Sequence, residues 1–533
     1  MNTADFILLN GNIYTGNPQQ PRAQALAARQ GRIVAVGDNR SVRELAAAGA
    51  VIFDAGNQFV MSGFIDNHTH FRMGGETLLS VDLRDAKDRG DFSRRIAAHA
   101  ATLPAGTWIT GGSWDNEAWA DSALPHRDWI DACTPQHPVL VYRLDLHMAL
   151  ANSLALKQAG IDRETPDPAG GTIERDAAGN PTGIVKDAAA DMVVRAMPQL
   201  TEDTVSAQLT AAMRHANSLG VTSIQDVTSW QEYSVFAALR QRGLLTVRVA
   251  ARTPISHWQK QADWIKTNGG GDEWLKLAGL KGFADGALGS RTAYFFEPYA
   301  DEPGNCGLLH DQMHPEGIML QRATAADAAG LQCSIHAIGD RANHELLELF
   351  TAVAAANGCR DSRHRIEHAQ HLTPADLGRF CELGVIASVQ PYHAIDDGRF
   401  AERRIGAERC RLTYPFRSLI EAGALVSFGT DWPVAPLNPL LGIYAAVTRA
   451  TLDGRYPGGW MPQEKIDVAA ALQAYTLNSA WAEFAEADKG SLQPGKLADI
   501  AVLSADLLAI EPAAIRDVQV VATIAGGQLV YQR

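Results

Sequence analysis

Long apolar runs are absent from this sequence, and its cysteines are few and scattered. No stretch approaches the roughly 18 apolar residues that a membrane span requires, so no membrane partner is expected. The six cysteines form no Cys-x-x-Cys pair, which is typical of reduced thiols in a cytoplasm. Residues 1–5 lack a basic region followed by an apolar stretch, so no signal peptide is expected and the location is predicted to be cytoplasmic.

An excess of positive charge is also missing. The formal net charge of -13 does not favour binding to the negatively charged backbone of nucleic acid, so a nucleic-acid partner is not expected. Hydrophobic residues make up 46% of the chain and charged residues 20%, which indicates a globular protein with a large core. By length alone the chain could form about two to four domains, although a single α/β barrel can account for most of it.

What the sequence does contain is a set of histidines at the ends of apolar, strand-like segments. The run over residues 63–70 ends with His68 and His70. Side chains two residues apart on a strand point to the same face, so both imidazoles can reach one metal ion. Three further runs close on potential ligands: His336, His368 and Asp431. Imidazoles with one carboxylate form the ligand set of a catalytic Zn²⁺, Mn²⁺ or Fe²⁺ site, and five such residues are hard to explain as core packing.

The order of the segments predicts an α/β fold with a TIM-like (β/α)8 barrel. Helix-like stretches separate eight strand candidates: residues 64–67, 222–226, 246–250, 280–283, 333–336, 365–368, 386–390 and 425–428. The active site of such a barrel lies at the C-terminal ends of its strands. The candidate ligands all fall at those ends.

The two ends of the chain carry short strand patterns separated by turns. We expect residues 1–62 and 488–533 to pair into a composite β-sandwich, with the barrel over residues 63–487. The stretch from about 72 to 200 does not fit the barrel count, so it is predicted to be a large insertion after strand 1. A folded insertion at the barrel mouth would cover the metal site and shape the substrate pocket.

Taken together, these features resemble the amidohydrolase superfamily of metal-dependent hydrolases. The resemblance is carried by residues 63–70, the ordered histidines, Asp431 and the closing segment 490–503. Within the superfamily, residues 143–153, 283–293 and 429–434 are similar to the YtcJ-like branch, which includes relatives of N-substituted formamide deformylase. The resemblance extends over essentially the whole chain.

The resemblance implies roles for the five ligand candidates. His68 and His70 match the first-strand ligands, and His336 and His368 match those of strands five and six. Asp431 matches the final-strand aspartate, which contacts metal and shuttles the proton. His368 is a second candidate catalytic residue, because it could stabilise the oxyanion.

The metal is expected to be a divalent ion, Zn²⁺ before others, in one or two copies. Lys281 matches the fourth-strand lysine that binuclear members carry as a carboxylated bridge between two ions. An unmodified ammonium could not bind a cation, so this role requires the modification. A structural lysine paired with Asp285 is the alternative that the sequence leaves open.

Five residues near the strand ends or in the insertion are predicted to contact substrate: Trp114, Asp285, Arg291, His393 and Trp432. Aromatic side chains in one pocket would favour an apolar substituent. Arg291 is predicted either to clamp a carboxylate or to hold its own loop through Asp301 or Glu297.

Three functions follow. The favoured one is metal-dependent hydrolysis of a C–N bond other than a peptide bond, in a small amide or N-formyl or N-acyl compound. Metal-activated water would attack, and Asp431 would act as general base and then acid. The alternative is a deaminase or cyclic-amide or amidine hydrolase of the same superfamily. A silent binding or regulatory protein comes third, because every expected ligand is present. The expected partners are a small-molecule amide and a second copy of the chain in a homodimer.

Overall fold

The computed structural model describes residues 3–198 and 200–533. Met1 and Asn2, part of the start for which no signal peptide is expected, and Gln199, in the predicted insertion, lie outside the described residues. Among the described helices, none combines the length and apolar character needed to cross a membrane.

The strands of the described residues belong to four sheets. In chain order they are β1 (Ala4–Leu9), β2 (Asn12–Tyr14), β3 (Arg22–Ala23), β4 (Ala25–Arg29), β5 (Arg32–Gly37), β6 (Ala46–Asp54), β7 (Phe59–Ser62), β8 (Phe64–Thr69), β9 (Val81–Asp82), β10 (Gly111–Trp114), β11 (Leu140–Arg143), β12 (Met148–Ala151), β13 (Gly171–Arg175), β14 (Pro181–Asp187), β15 (Val221–Val227), β16 (Arg248–Pro254), β17 (Leu275–Phe283), β18 (Cys333–Ala337), β19 (Arg365–His368), β20 (Ile386–Val389), β21 (Val426–Phe428), β22 (Ile500–Leu503), β23 (Val520–Ala525) and β24 (Gln528–Gln532).

The helices lie mostly between the strands. They are α1 (Asn39–Arg43), α2 (Phe71–Leu79), α3 (Arg89–Ala100), α4 (Ser153–Gln158), α5 (Ala188–Val194), α6 (Glu202–Ser218), α7 (Trp230–Gln241), α8 (Trp258–Asn268), α9 (Ile318–Ala328), α10 (Asp340–Asn357), α11 (Leu377–Leu383), α12 (Pro391–Asp397), α13 (Ala401–Ile405), α14 (Phe416–Glu421), α15 (Pro439–Thr448), α16 (Val468–Ala474) and α17 (Leu477–Trp481). Local chemistry sets several boundaries. At the start of α7, for example, Ser229 and Glu232 form a reciprocal capping box.

The central sheet is a barrel of eight parallel strands. Its order is β8, β15, β16, β17, β18, β19, β20 and β21, so each strand pairs with the next barrel strand along the chain. The first and last strands meet at a seam, where the Asp431 N–H donates to the His68 carbonyl and the His70 N–H donates to the Trp432 carbonyl, both at 2.8 Å. All eight predicted strands are present, and the predicted barrel is confirmed.

The two chain ends share one six-stranded sheet, in the order β24-β23-β22-β7-β2-β3. Its joint is the antiparallel pairing of β7 with β22, in which Val60 lies opposite Val502. The other sheet has the order β5-β4-β1-β6. Apolar side chains from both sheets form one core, as expected for a composite sandwich. We place the proposed domain boundary between β7 and β8, at residues 62 and 63.

The insertion after strand 1 has a sheet and a core of its own. Its six strands run in the order β13-β14-β12-β11-β10-β9. Phe92, Trp114, Trp119, Val141 and Leu150 are among the buried residues that hold one face of this sheet together. The insertion is therefore a folded unit rather than a long loop.

A buried ion pair joins the sandwich to the barrel. Arg248, at the start of β16, donates through Nε at 2.6 Å and Nη2 at 3.0 Å to the two carboxylate oxygens of Asp499, just before β22. The guanidinium also lies over the Trp274 ring, 4.2 Å from its centroid. Removing one member of such a pair leaves the other charge buried without a partner.

Arg248→Met is therefore expected to lower the free energy of unfolding by roughly 3–5 kcal/mol, because Asp499 stays buried and loses its counter-charge. The measurement is urea unfolding followed by circular dichroism. Arg417→Met is the control, since Arg417 and Glu421 form a pair that is more than half exposed, and a change below about 1 kcal/mol is expected there. Equal stability of the two variants would contradict a structural role for the Arg248 pair.

Candidate metal centre and active site

The five ligand candidates converge at one end of the barrel. His68 and His70 come from the end of β8, His336 from β18, His368 from β19, and Asp431 follows β21. Asp431 Oδ1 lies 3.3 Å from Nε2 of His68 and 3.3 Å from Nε2 of His70. The imidazole rings of His336 and His368 lie 4.4 Å apart, centroid to centroid. The barrel thus places three imidazoles within 4 Å of the Asp431 carboxylate, with His336 packed against one of them.

This cluster fits a divalent metal ion. Ligand atoms of His68, His368 and Asp431 all lie within 4.8 Å of one another, and all three residues are buried. Asp431 Oδ1 is buried, yet it accepts no hydrogen bond from any described residue. A buried carboxylate oxygen without a donor is costly, and a cation held jointly with the imidazoles would satisfy it.

The protonation states of two of the imidazoles, His336 and His368, favour metal binding as well. Burial lowers the pKa of His336 to about 4 and holds the pKa of His368 well below its usual value. Both imidazoles are therefore neutral near pH 7, as metal ligands must be. Nδ1 of His368 lies 2.8 Å from Gln390 Oε1, so Nδ1 carries the proton and Nε2 is left as the ligand atom.

A buried carboxylate behind His68 was missed in the sequence. Glu367 Oε2 lies 2.9 Å from His68 Nδ1, and Glu367 Oε1 lies 2.8 Å from Nε of Arg365. This partner fixes His68 so that its Nε2 faces Asp431, an arrangement common behind metal-binding histidines. The neighbours Glu367 and His368 can both serve the site because His368 has a positive φ of 77°, which breaks strand alternation. In the sequence, the only signal for this role of Glu367 is its place next to His368 in the motif Arg-Ile-Glu-His.

Lys281 lies beside the cluster and does not form an ion pair with Asp285. Its Nζ is 3.3 Å from Nε2 of His68, and burial lowers its pKa to about 8. Asp285 instead accepts the backbone N–H groups of Ile338, Gly339 and Tyr294 at 2.8 to 3.0 Å. The alternative of a Lys281–Asp285 pair is therefore not formed, and the carboxylated bridge stays a prediction. A lowered pKa favours it, because only the neutral amine reacts with CO₂.

Two of the five predicted substrate contacts lie against the cluster. Asp285 Oδ1 is 3.4 Å from Nε2 of His336. His393 lies beside Asp431 and His368. Its Nε2 is 4.0 Å from Asp431 Oδ2, and its ring stacks in parallel with that of His368 at 6.3 Å. The carboxylate of Asp285 accepts backbone N–H groups at both oxygens as well as lying near His336. Arg291 pairs with Asp301 at 3.0 Å and borders a different cavity, so its contact is the loop-holding one.

The two tryptophans predicted to contact substrate are part of the packing. Trp114 is fully buried in the core of the insertion, where its Nε1 donates to the Val141 carbonyl at 2.9 Å. Trp432 packs edge-on against Phe71 at 5.7 Å and covers Gly74, where a Cβ would meet the indole at 2.2 Å. Their large apolar surfaces are used to hold the insertion core and α2, and neither residue lines the two cavities at the cluster.

Two cavities meet at the cluster. A large one of about 770 Å³ lies between the barrel mouth and the insertion, and a small one of about 50 Å³ lies on the other side. The residues that line both are Asp145, His147, His336, His368, Asp431 and Val434. A bound molecule could therefore extend to both sides of Asp431.

Comparison with known proteins agrees with the fold and the cluster. The chain matches the amidohydrolase family over residues 51–531, and it belongs to that family. It is thus a hydrolase of the amidohydrolase superfamily, as the resemblance implied.

Particular relatives span nearly the whole chain. The sequence is 39% identical to Protein LONG AFTER FAR-RED 3 of Arabidopsis thaliana, over 99% of this chain and 92% of that protein. It is 30% identical to the putative amidohydrolase YtcJ of Bacillus subtilis, over 98% of both, and 27% identical to N-substituted formamide deformylase of Arthrobacter pascens, over 99% and 98%. A metal-dependent hydrolase from Pyrococcus horikoshii has a TM-score of 0.77 at 28% identity, over 95% of this chain and 99% of that one.

His68→Ala and His70→Ala are each expected to lose most bound metal and all hydrolysis, because the two residues chelate one ion from a single strand face. Metal per chain is measured by inductively coupled plasma mass spectrometry on purified protein. His344→Ala is the control, since His344 pairs with Asp376 away from the cluster and should keep full metal content. Full metal and normal turnover in either strand variant would refute the assignment.

Lys281→Ala tests the number of ions. If Lys281 is a carboxylated bridge, metal content should fall from two ions toward one, and short carboxylic acids should restore part of the activity by filling the bridge. Lys276→Ala, which removes a lysine from the opposite end of β17, is the control. One ion per chain in both the wild type and the Lys281 variant would instead make the site mononuclear and Lys281 structural.

Proposed function

We propose that the protein hydrolyses the C–N bond of a small N-acyl amine with a short acyl group and a bulky apolar N-substituent. The observation that carries the proposal is the position of Asp431 and its imidazoles at the junction of one large and one small cavity. Similarity to a protein named N-substituted formamide deformylase supports the same reaction class.

The large cavity suits an apolar N-substituent. Most of its lining residues belong to the insertion, and its apolar lining residues include Met73, Leu140, Tyr142, Leu146, Met197 and Phe283. Burial of apolar surface against such a wall contributes about 0.8 kcal/mol for each CH₂ group. Binding energy from this remote part of the substrate would hold the amide over Asp431.

The small cavity suits a formyl or another short acyl group. Its volume of about 50 Å³ has room for only a few non-hydrogen atoms, since a cavity needs about 10–15 Å³ to hold one water. Ala287, Leu288, Ile338 and Phe400 contribute its apolar side. A longer acyl chain would collide with this wall.

Asp431 is the residue that we assign to proton transfer. Burial opposes its ionisation, but the imidazoles of His68 and His70 hold its pKa well below the usual value, so the carboxylate is ionised near pH 7. It can accept a proton from the attacking water and deliver that proton to the departing nitrogen. A divalent ion bound by the cluster supplies Lewis acidity, which makes water a competent nucleophile at neutral pH.

A substrate series tests the proposal on metal-loaded protein. We expect kcat/KM to fall at least tenfold from N-phenylethyl formamide to the matching butanamide, because the acyl cavity is small. It should also fall at least tenfold from N-phenylethyl to N-methyl formamide, because apolar contact is lost. Release of ammonia from cyclic amidines or aminated rings, with no amide turnover, would favour the deaminase alternative. No turnover of any class would favour a silent binding protein.

Asp431→Asn is expected to retain most bound metal while kcat falls by roughly 10²–10⁴-fold, the usual loss for a general base. The amide keeps the shape and one oxygen ligand but cannot accept a proton. Metal content and kcat are measured on the same preparation. Near wild-type kcat would assign proton transfer to another group, with His393 the next candidate.

A further inference from the structure

A histidine–carboxylate pair in the insertion reaches the same junction from the opposite side. His147 lies between β11 and β12, and Asp187 is the last residue of β14. Nδ1 of His147 is 2.6 Å from Oδ1 of Asp187, and the side chains are only 15% and 5% exposed. His147 lines both the large and the small cavity. The insertion thus contributes a histidine to the same cavity junction that the candidate ligands at the strand ends border.

The fold holds this pair in place from several directions. Strands β12 and β14 are antiparallel neighbours, and the Asp187 N–H donates to the His147 carbonyl at 3.0 Å. The His147 N–H donates to Asp145 Oδ1 at 3.1 Å, and Asp145 is itself bound to Arg143 at 2.7 Å. The imidazole is therefore fixed at its backbone as well as at its ring.

Asp187 adopts a strained backbone that aims its carboxylate at the imidazole. Its φ of 47° with ψ of -124° is unusual for a residue other than glycine, and such a conformation costs about 1–3 kcal/mol. Its second oxygen, Oδ2, is buried and accepts no hydrogen bond from the described residues. Strain and an unmet acceptor are typical of functional sites rather than of a cap that only stabilises α5.

The free ring nitrogen of His147 faces the junction. Because Nδ1 is occupied by Asp187, Nε2 lies on the other side of the ring, and it makes no hydrogen bond with the residues that the structure describes. The ring centroid is 5.2 Å from that of His336. His147 and Asp431 line the same two cavities, so one bound molecule can contact both residues.

We propose that His147, oriented by Asp187, is a substrate-positioning residue whose Nε2 hydrogen-bonds the scissile amide at the junction of the two cavities. This inference rests on the proposed function, because it assumes an amide substrate. The insertion then places the C–N bond relative to Asp431, in addition to enclosing the apolar substituent. Misplacement of a reacting group by about 1 Å can cost about 100-fold in rate.

The test compares His147→Phe with His147→Gln on metal-loaded protein and N-phenylethyl formamide. The Phe variant keeps the ring but loses the hydrogen bond, so we expect a 10- to 100-fold fall in kcat/KM with unchanged metal content. The Gln variant places an amide near the position of Nε2 and should recover at least fivefold over Phe. Lys186→Met is the control, since Lys186 pairs with Glu174 away from the cavity junction and should leave kcat/KM unchanged.

Two further measurements separate positioning from a structural role. Asp187→Asn should lower kcat/KM in the wild type but not in the His147→Phe background, because the two residues act as one unit. In the inactive Asp431→Asn background, His147→Phe should raise the Kd for the formamide at least fivefold, as measured by calorimetry. Wild-type kcat/KM in the Phe variant, or additive effects of the two changes, would overturn the proposal. Amide turnover that is absent from the wild type itself would refute the proposed function and this inference with it.

Discussion

The site depends on the seam where the first and last barrel strands meet. Two backbone hydrogen bonds there, from Asp431 to His68 and from His70 to Trp432, set the carboxylate against the two imidazoles. Asp66 reinforces the seam, because its carboxylate accepts the backbone N–H of Thr430 at 2.9 Å. Without closure of the barrel, the first and last ligands would have no reason to be neighbours. Closure of the sheet therefore creates the geometry of the candidate metal site.

Beneath the ligands, the barrel interior is charged rather than apolar. Arg365 and Glu367 are fully buried, and Arg365 also donates to the Asn67 carbonyl at 2.8 Å and to Ser388 Oγ at 2.7 Å. A buried pair of this kind contributes little net stability, since desolvation offsets the attraction between the charges. Its effect is on orientation: Glu367 fixes the ring of His68. A charged pair thus occupies space in the barrel interior that apolar side chains could fill, and it holds the candidate ligand His68 in one orientation.

Sequence patterns predicted the barrel, the composite sandwich and the convergence of the ligands, because apolar runs and strand-end positions are local signals. They predicted only some of the side chains that contact the cavities, His393 among them. Trp114 and Trp432 are chemically suited to a pocket, yet packing uses both, and Asp285 is taken up by backbone N–H groups. Glu367 and Asp187 were missed for a related reason. Their importance follows from long-range contacts and from positive φ values, which leave no regular spacing in the sequence.

The barrel carries the candidate ligands, and the insertion supplies much of the cavity wall. This separation explains why family membership indicates the reaction class but not the identity of the substrate. The ligands sit at strand ends, where a small displacement would break the cluster. Much of the cavity wall belongs to the insertion, which has its own core and can change without moving the ligands. Arg84 ties the two units together by donating to the Val434 carbonyl at 3.1 Å, three residues beyond Asp431. A change in the insertion can thus alter which molecule is held while this contact keeps the loop that carries Asp431 in position.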